Sequence, residues 1–142
     1  MTPASADVRW AADTSFAVAA LDASHEAHLI CRQLATARRP ALAGHAVFET
    51  YSVLTRLPGA ARVSPRTATE LLTRAFPERC WLPPERQAEL ADRMSELGIA
   101  GGMVYDALVA AAARHARRVL MTRDIRADRI YDLVGVRHEL VA

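Results

Sequence analysis

The chain predicts an α/β fold, with a mostly parallel sheet and helices on both of its faces. Three observations predict it. Short apolar runs alternate along the chain with longer stretches of helical periodicity. One run, Val119-Leu120-Met121-Thr122, is continuously apolar up to its last residue, as in a strand buried on both faces. Two runs end in an acid, Asp13 and Asp124, and ligands of parallel sheets gather at the carboxyl ends of strands.

The elements follow in order. Val8 to Ala12 reads as a short strand, and Asp13 as the N-cap of a helix reaching Leu21. Ala27, Ile30, Cys31 and Leu34 give helical spacing over 24–37, with Ser24 as the expected cap. Pro40 to Ala43 is a second strand. Val47, Tyr51 and Leu54 mark a helix over 45–57, which Pro58-Gly59 stops. Ser64-Pro65 opens another, with the apolar stripe Ala68, Leu71, Leu72, Ala75 and Phe76. Cys80-Trp81-Leu82 reads as a strand ended by Pro83-Pro84. Leu90, Met94 and Leu97 mark a helix that Gly98 terminates. Residues 103–116 are alanine-rich and helical, Val119 to Thr122 is a strand, and Val134 to Val141 suits a last, edge-like strand.

With 142 residues and no internal repeat or linker, a single domain spanning 1–142 is expected. No apolar stretch is long enough to cross a bilayer, and Met1 to Asp7 lacks the basic region and apolar core of a signal peptide. The expected location is the cytoplasm. Cys31 and Cys80 make no metal-like pair and read as buried small hydrophobes. The net charge of +2 conceals a split: all 18 basic residues are arginine, and without four acids singled out below only 12 of the 16 acids remain to face them. That surplus favours a polyanionic partner such as nucleic acid.

The four acids are Asp13, Glu49, Asp106 and Asp124. Asp13 and Asp124 close strands, Glu49 lies in the first half of the helix after the second strand, and Asp106 lies in the first turn of its helix, where the macrodipole favours an anion. In this topology all four can converge at one edge of the sheet, which spacing alone does not prove. Taken singly, each has a plain structural reading: an N-cap, a solvated helix residue, a first-turn acid and a turn former. Acids among apolar residues are costly without compensation, and four together point to one compensator, a hard divalent cation bound by oxygen. Mg²⁺ or Mn²⁺ in such a site supports phosphodiester hydrolysis with no Ser, Cys or His nucleophile.

Other polar groups carry less. Asp128, four residues after Asp124, is an auxiliary ligand candidate or a surface acid. His25 and His28 form an H-x-x-H pair without a third ligand at zinc spacing, and read as a helix surface pair. His45 and His115 are isolated. Arg38-Arg39 and Arg117-Arg118 suit phosphate contacts and helix C-termini equally. Gly101-Gly102 matches no phosphate loop. Aromatics make up only 6% of the chain, which argues against a base-stacking platform.

The run Asp13-Thr14-Ser15, the pair Phe48-Glu49, the segment Gly101-Gly102-Met103-Val104-Tyr105-Asp106-Ala107-Leu108 and the run Leu120-Met121-Thr122-Arg123-Asp124 occur in one order over the whole chain. In this the chain resembles the PIN-domain ribonucleases, specifically the VapC-type toxins of bacterial type II toxin–antitoxin pairs. The resemblance implies a three-layer α/β/α domain and Mg²⁺- or Mn²⁺-dependent cleavage of RNA, with structured RNA such as tRNA or rRNA as the expected class. It implies a homodimer and inhibition by a cognate VapB-like antitoxin. Asp13 and Asp106 carry over as the main metal ligands, with Glu49 and Asp124 completing the acidic quartet. Ser15 and Thr122, with Thr14, match the polar positions that line the site. Rival expectations are a PIN-type nuclease of RNA processing or single-stranded DNA, and a module that binds RNA or a partner without cutting. A phosphatase using Asp13 as nucleophile lacks the D-x-D pair it needs.

Overall fold

The computed structural model describes residues 7–142. Five parallel strands, β1 (Trp10–Ala12), β2 (Ala41–Ala43), β3 (Arg79–Cys80), β4 (Val119–Thr122) and β5 (His138–Leu140), form one sheet in the order β3-β2-β1-β4-β5. Seven helices among the described residues connect them: α1 (Thr14–Leu21), α2 (His28–Arg38), α3 (Ala46–Thr55), α4 (Pro65–Ala75), α5 (Pro84–Leu97), α6 (Met103–His115) and α7 (Asp128–Val134). Parallel strands need such crossovers, and the result is a three-layer α/β/α arrangement.

The strand order decides where a site can form. From β1 the chain steps outward through β2 to β3, then returns to place β4 on the other side of β1. The order therefore reverses between β1 and β4, whose carboxyl ends lie side by side with Ala12 opposite Met121. Crevices form at such reversals. The residues immediately after these two strands are Asp13 and, one further on from Arg123, Asp124.

Small side chains let the layers approach. Ala11, Ala12, Ala41 and Ala43 in the strands are buried, as are Ala107, Ala110, Ala112 and Ala113 on α6. Gly44, at the turn between β2 and α3, has a φ of +49°, and a Cβ there would meet the Ala112 Cβ at 3.1 Å. The left-handed backbone and the close approach both favour glycine, and through it the end of β2 sits against α6, which carries Asp106. Larger side chains, Phe16, Phe76, Leu42, Leu120 and Met121, fill the remaining core.

Several boundaries differ from the expectation. The helix expected over 24–37 begins only at His28, because Ser24 turns back and gives its N–H and hydroxyl to Asp22 Oδ1 rather than capping it. The third strand covers Arg79–Cys80, not 80–82, and the segment expected as 45–57 is helical over Ala46–Thr55. Helix α7 was not expected; it is short, with its start at Asp128 and a left-handed Gly135 closing it. Residues 1–6, most of the N-terminal segment expected not to be a signal peptide, lie outside the described residues. Among those described, no helix is long and apolar enough to cross a membrane. Cys31 and Cys80 are free and buried, and burial raises both thiol pKa values, as expected of small hydrophobes.

Candidate active site

Asp13 leaves β1 with an extended backbone and caps α1, its Oδ1 accepting the Phe16 N–H at 3.0 Å. The cap places the carboxylate at the helix N-terminus. It is 3% exposed. Burial raises its pKa, while hydrogen bonds from Thr122, Phe16, Tyr131 and Ser15 pull the other way.

A lattice of hydroxyls surrounds it. Ser15 Oγ donates to Asp13 Oδ1 at 2.7 Å and accepts the Arg123 N–H at 2.8 Å. Ser15 Oγ also lies 3.3 Å from Thr122 Oγ1, which accepts the Asp124 N–H at 3.0 Å. The β1 and β4 ends are thereby stitched together through side chains. Thr14 Oγ1 donates to Glu49 Oε1 at 2.9 Å, tying the acid on α3 to the first residue of α1.

Asp13, Glu49, Asp106 and Asp124 all line one open cleft of about 450 Å³, with Thr14, Ser15, His25, Arg123, Arg126 and Tyr131 among its other walls. The cleft is short of positive charge. Of the four acids only Asp124 has an ion-pair partner among the described residues, the exposed Arg126, with Nε 3.3 Å from Oδ1. Arg123 turns its Nε to the Val141 carbonyl instead. Asp106, half-buried on the first turn of α6, records the consequence. Its pKa is pushed up to about 6, first by burial and then by the charges of Asp124, Glu49 and Asp13. An all-oxygen donor set with uncompensated negative charge fits a hard divalent cation.

Asp128 is placed elsewhere. It does not line the cleft; its Oδ1 is 2.6 Å from His138 Nε2, and Asp132 Oδ1 is 3.9 Å away from the same nitrogen. Among the described residues, Asp128, Asp132 and His138 are the one set of three such side chains whose donor atoms lie within 4.8 Å of one another. The carboxylates are exposed. Burial lowers the His138 pKa, but the bonds to Asp128 and to the Val136 carbonyl and the two carboxylate charges outweigh it, so the net shift is upward. A charged imidazolium satisfies this group.

Two further residues line the cleft, Tyr131 without a sequence signal and His25 from the H-x-x-H pair. Tyr131, 118 residues from Asp13, donates its O–H to Asp13 Oδ2 at 2.7 Å. Only an expected α7 would have aimed it there. His25 lines the cleft from the turn before α2, with Nδ1 accepting the Ala27 N–H, while His28 faces the Ala19 carbonyl, so the H-x-x-H pair is not one helical face. The aromatic residues, few in number, are gathered: His45 stacks on Tyr105 at 4.7 Å, and Phe48 packs against Trp81 at 5.9 Å. Phe48, Trp81 and Tyr105 are exposed, beside Glu49 and Asp106. Arg38 lies 3.9 Å over the Trp10 ring and pairs with Glu139, and Arg118 pairs with Glu78, so one arginine of each doublet is spent on structure.

The PIN domain family profile matches residues 11–133. The chain belongs to the PIN-domain family. Within it, the chain is 45% identical to Ribonuclease VapC27 of Mycobacterium tuberculosis, over 93% of this chain and 96% of that one. It is 39% identical to Ribonuclease VapC40 of the same species, over 92% of this chain and 98% of that protein. The fold is similar to that in the crystal structure of PAE2754 from Pyrobaculum aerophilum, with a TM-score of 0.59 and 21% identity over 92% of this chain and 90% of that one. The family and the VapC-type resemblance read from the motifs are thus the ones found, and the PIN-domain core runs from β1 into α7.

Proposed function

We propose that this PIN-domain protein is a metal-dependent endoribonuclease acting in the cytoplasm as the toxin of a type II toxin–antitoxin pair. The observation that carries the reading is a cleft where four carboxylates meet with two arginines, Arg123 and Arg126, on its walls, and where the Asp106 pKa is pushed up to about 6. Ribonuclease-named relatives at 45% and 39% identity supply the reaction class.

Asp13 and Asp106 would hold a Mg²⁺ or Mn²⁺ ion, with Glu49 and Asp124 completing its acidic surroundings. When bound, the cation supplies Lewis-acid stabilisation of phosphate charge and a more acidic water. The chain's residues do the rest. Ser15 and the N-terminus of α1 hold Asp13 in place, and Thr14 orients Glu49. Glu49, held by Thr14, would accept a proton from an attacking water. Arg126, exposed and on a weak 3.3 Å contact, is free to turn to a substrate phosphate. A homodimer and a VapB-like antitoxin are part of this reading. The exposed ring face of Phe48, Trp81 and Tyr105 offers apolar surface of the kind that partners cover.

The test is incubation of purified protein with total RNA and with single-stranded DNA, with Mn²⁺ and with chelator, followed by sequencing of the ends formed. Metal-dependent cuts at defined RNA positions, lost in Asp106→Asn, are expected. Cuts confined to DNA would replace the substrate. Metal binding without any cleavage would leave a binding module instead of an enzyme.

A further inference from the structure

Asp13 is gripped by its own turn and from distant elements, Thr122 on β4 and Tyr131 on α7. Oδ1 takes the Ser15 hydroxyl at 2.7 Å and the Phe16 N–H at 3.0 Å, both from the turn that Asp13 itself begins. Oδ2 takes the Tyr131 hydroxyl at 2.7 Å, from the opposite end of the chain. We propose that Tyr131 is a positioning residue for the cleft cation, its hydroxyl fixing the plane of the Asp13 carboxylate so that one edge of that group faces the metal position.

The carboxylate torsion of aspartate is broad, so an anchor on one oxygen leaves the plane free to rock, whereas anchors on both oxygens fix it. The anchor must itself be rigid, and Tyr131 is. It is 1% exposed, packed in the main core on α7, with its ring set edge-on against His138 at 5.5 Å. It must also remain a donor. Its hydroxyl donates to Asp13 Oδ2 at 2.7 Å, and a phenol is a donor throughout the neutral pH range. Groups that hold a metal's ligands from behind commonly change metal affinity or activity by about 10- to 100-fold when removed.

The inference rests on the proposed metal site, and its test reads metal binding separately from RNA cleavage. Tyr131→Phe keeps the ring and its core packing and removes only the donor. Calorimetric titration with Mn²⁺ should show affinity weakened by about 10- to 100-fold. Cleavage should lose kcat while KM for RNA stays unchanged. In a cycle with Ser15→Ala, the two losses in Mn²⁺ affinity should fall short of additive, since both act through one carboxylate. A Tyr131→Phe protein that binds Mn²⁺ within twofold of wild type, whatever its melting temperature, overturns the proposal. Should that variant not fold, tyrosine ¹³Cζ spectra of wild type decide, with Tyr51→Phe and Tyr105→Phe assigning the three signals. The Tyr131 signal should move on Mg²⁺ addition and the Tyr51 signal should not; an unmoved Tyr131 signal overturns the proposal. If wild type binds Mn²⁺ but cuts no RNA, the ribonuclease reading fails while this one is still decided.

Discussion

Two groups of acids sit in this fold, and they differ in what compensates them. In the cleft, Asp13, Glu49, Asp106 and Asp124 share one exposed arginine contact, and the Asp106 pKa rises to about 6. On α7 and β5, Asp128 and Asp132 face His138 within 4.8 Å, tighter than any three of the cleft acids. Yet that second group is satisfied: its carboxylates are exposed and its histidine pKa is raised toward the charged form. On the function proposed above, closeness of carboxylates is therefore not what marks the metal site. The better marker is buried negative charge that the protein leaves unanswered, because some other charge must then answer it.

The largest effect that tests this contrast is loss of Asp106. Asp106→Asn should reduce RNA cleavage by more than the roughly 100-fold expected for outlying partners of a metal ligand. Gel assays at saturating Mn²⁺ measure it. The same substitution should change how stability varies with pH. The Asp106 pKa is raised from 3.8 to about 6, so between those values the folded state holds more protons than the unfolded state. Metal-free wild type should accordingly lose stability as pH rises through that window, and Asp106→Asn should flatten this loss. Melting curves in chelator at stepped pH are the check; an equally steep loss in the variant would show that Asp106 is not the strained group. Saturating Mn²⁺ should remove the same loss in wild type.

A smaller effect is expected one step back from the carboxylates. Ser15→Ala removes the donor to Asp13 Oδ1 and the acceptor of the Arg123 N–H. Cleavage should fall by roughly 10-fold, within the range for such supporting bonds. Stability should fall by about 1 kcal/mol, the usual net worth of a hydrogen bond. Thermal melts and initial rates on one RNA separate the two. A rate unchanged despite lost stability would make Ser15 a strut of the β1–β4 junction alone.

How much of this was legible beforehand follows from the range of each interaction. Asp13 and Asp124 stood at strand ends, and Asp106 in a helix first turn, so periodicity and capping rules placed them. The sheet and its parallel strands followed from the alternation of elements. Helix α7 was missed because it is a single short segment entered through a 3₁₀ turn at Ile125–Ala127, too brief for its periodicity to register. Tyr131 was missed with it, since its partner is 118 residues away. Asp128 looked like a neighbour of Asp124, but the intervening turn sends it to His138. The low aromatic content said nothing of where those rings lie, and tertiary packing gathered Phe48, Trp81 and Tyr105 into one group with the ring of His45.

The smallest effect on catalysis is expected at the second acid group, and it sharpens the contrast most directly. Asp128→Asn leaves the cleft walls untouched. Cleavage should stay within roughly twofold of wild type, as for surface substitutions generally. Stability should respond instead, and with the opposite pH sense to Asp106. The His138 pKa is raised above its ordinary 6.5, so its pairing contributes fully below that pH and is lost as pH rises through the higher folded value. Asp128→Asn should therefore lower the melting temperature at acidic pH and converge on wild type at alkaline pH. Melting curves across that range, run beside cleavage assays on the same preparations, measure both. If Asp128→Asn instead abolishes cleavage at full stability, the tight triad belongs to the chemistry, and unanswered burial is not what sets the catalytic acids apart.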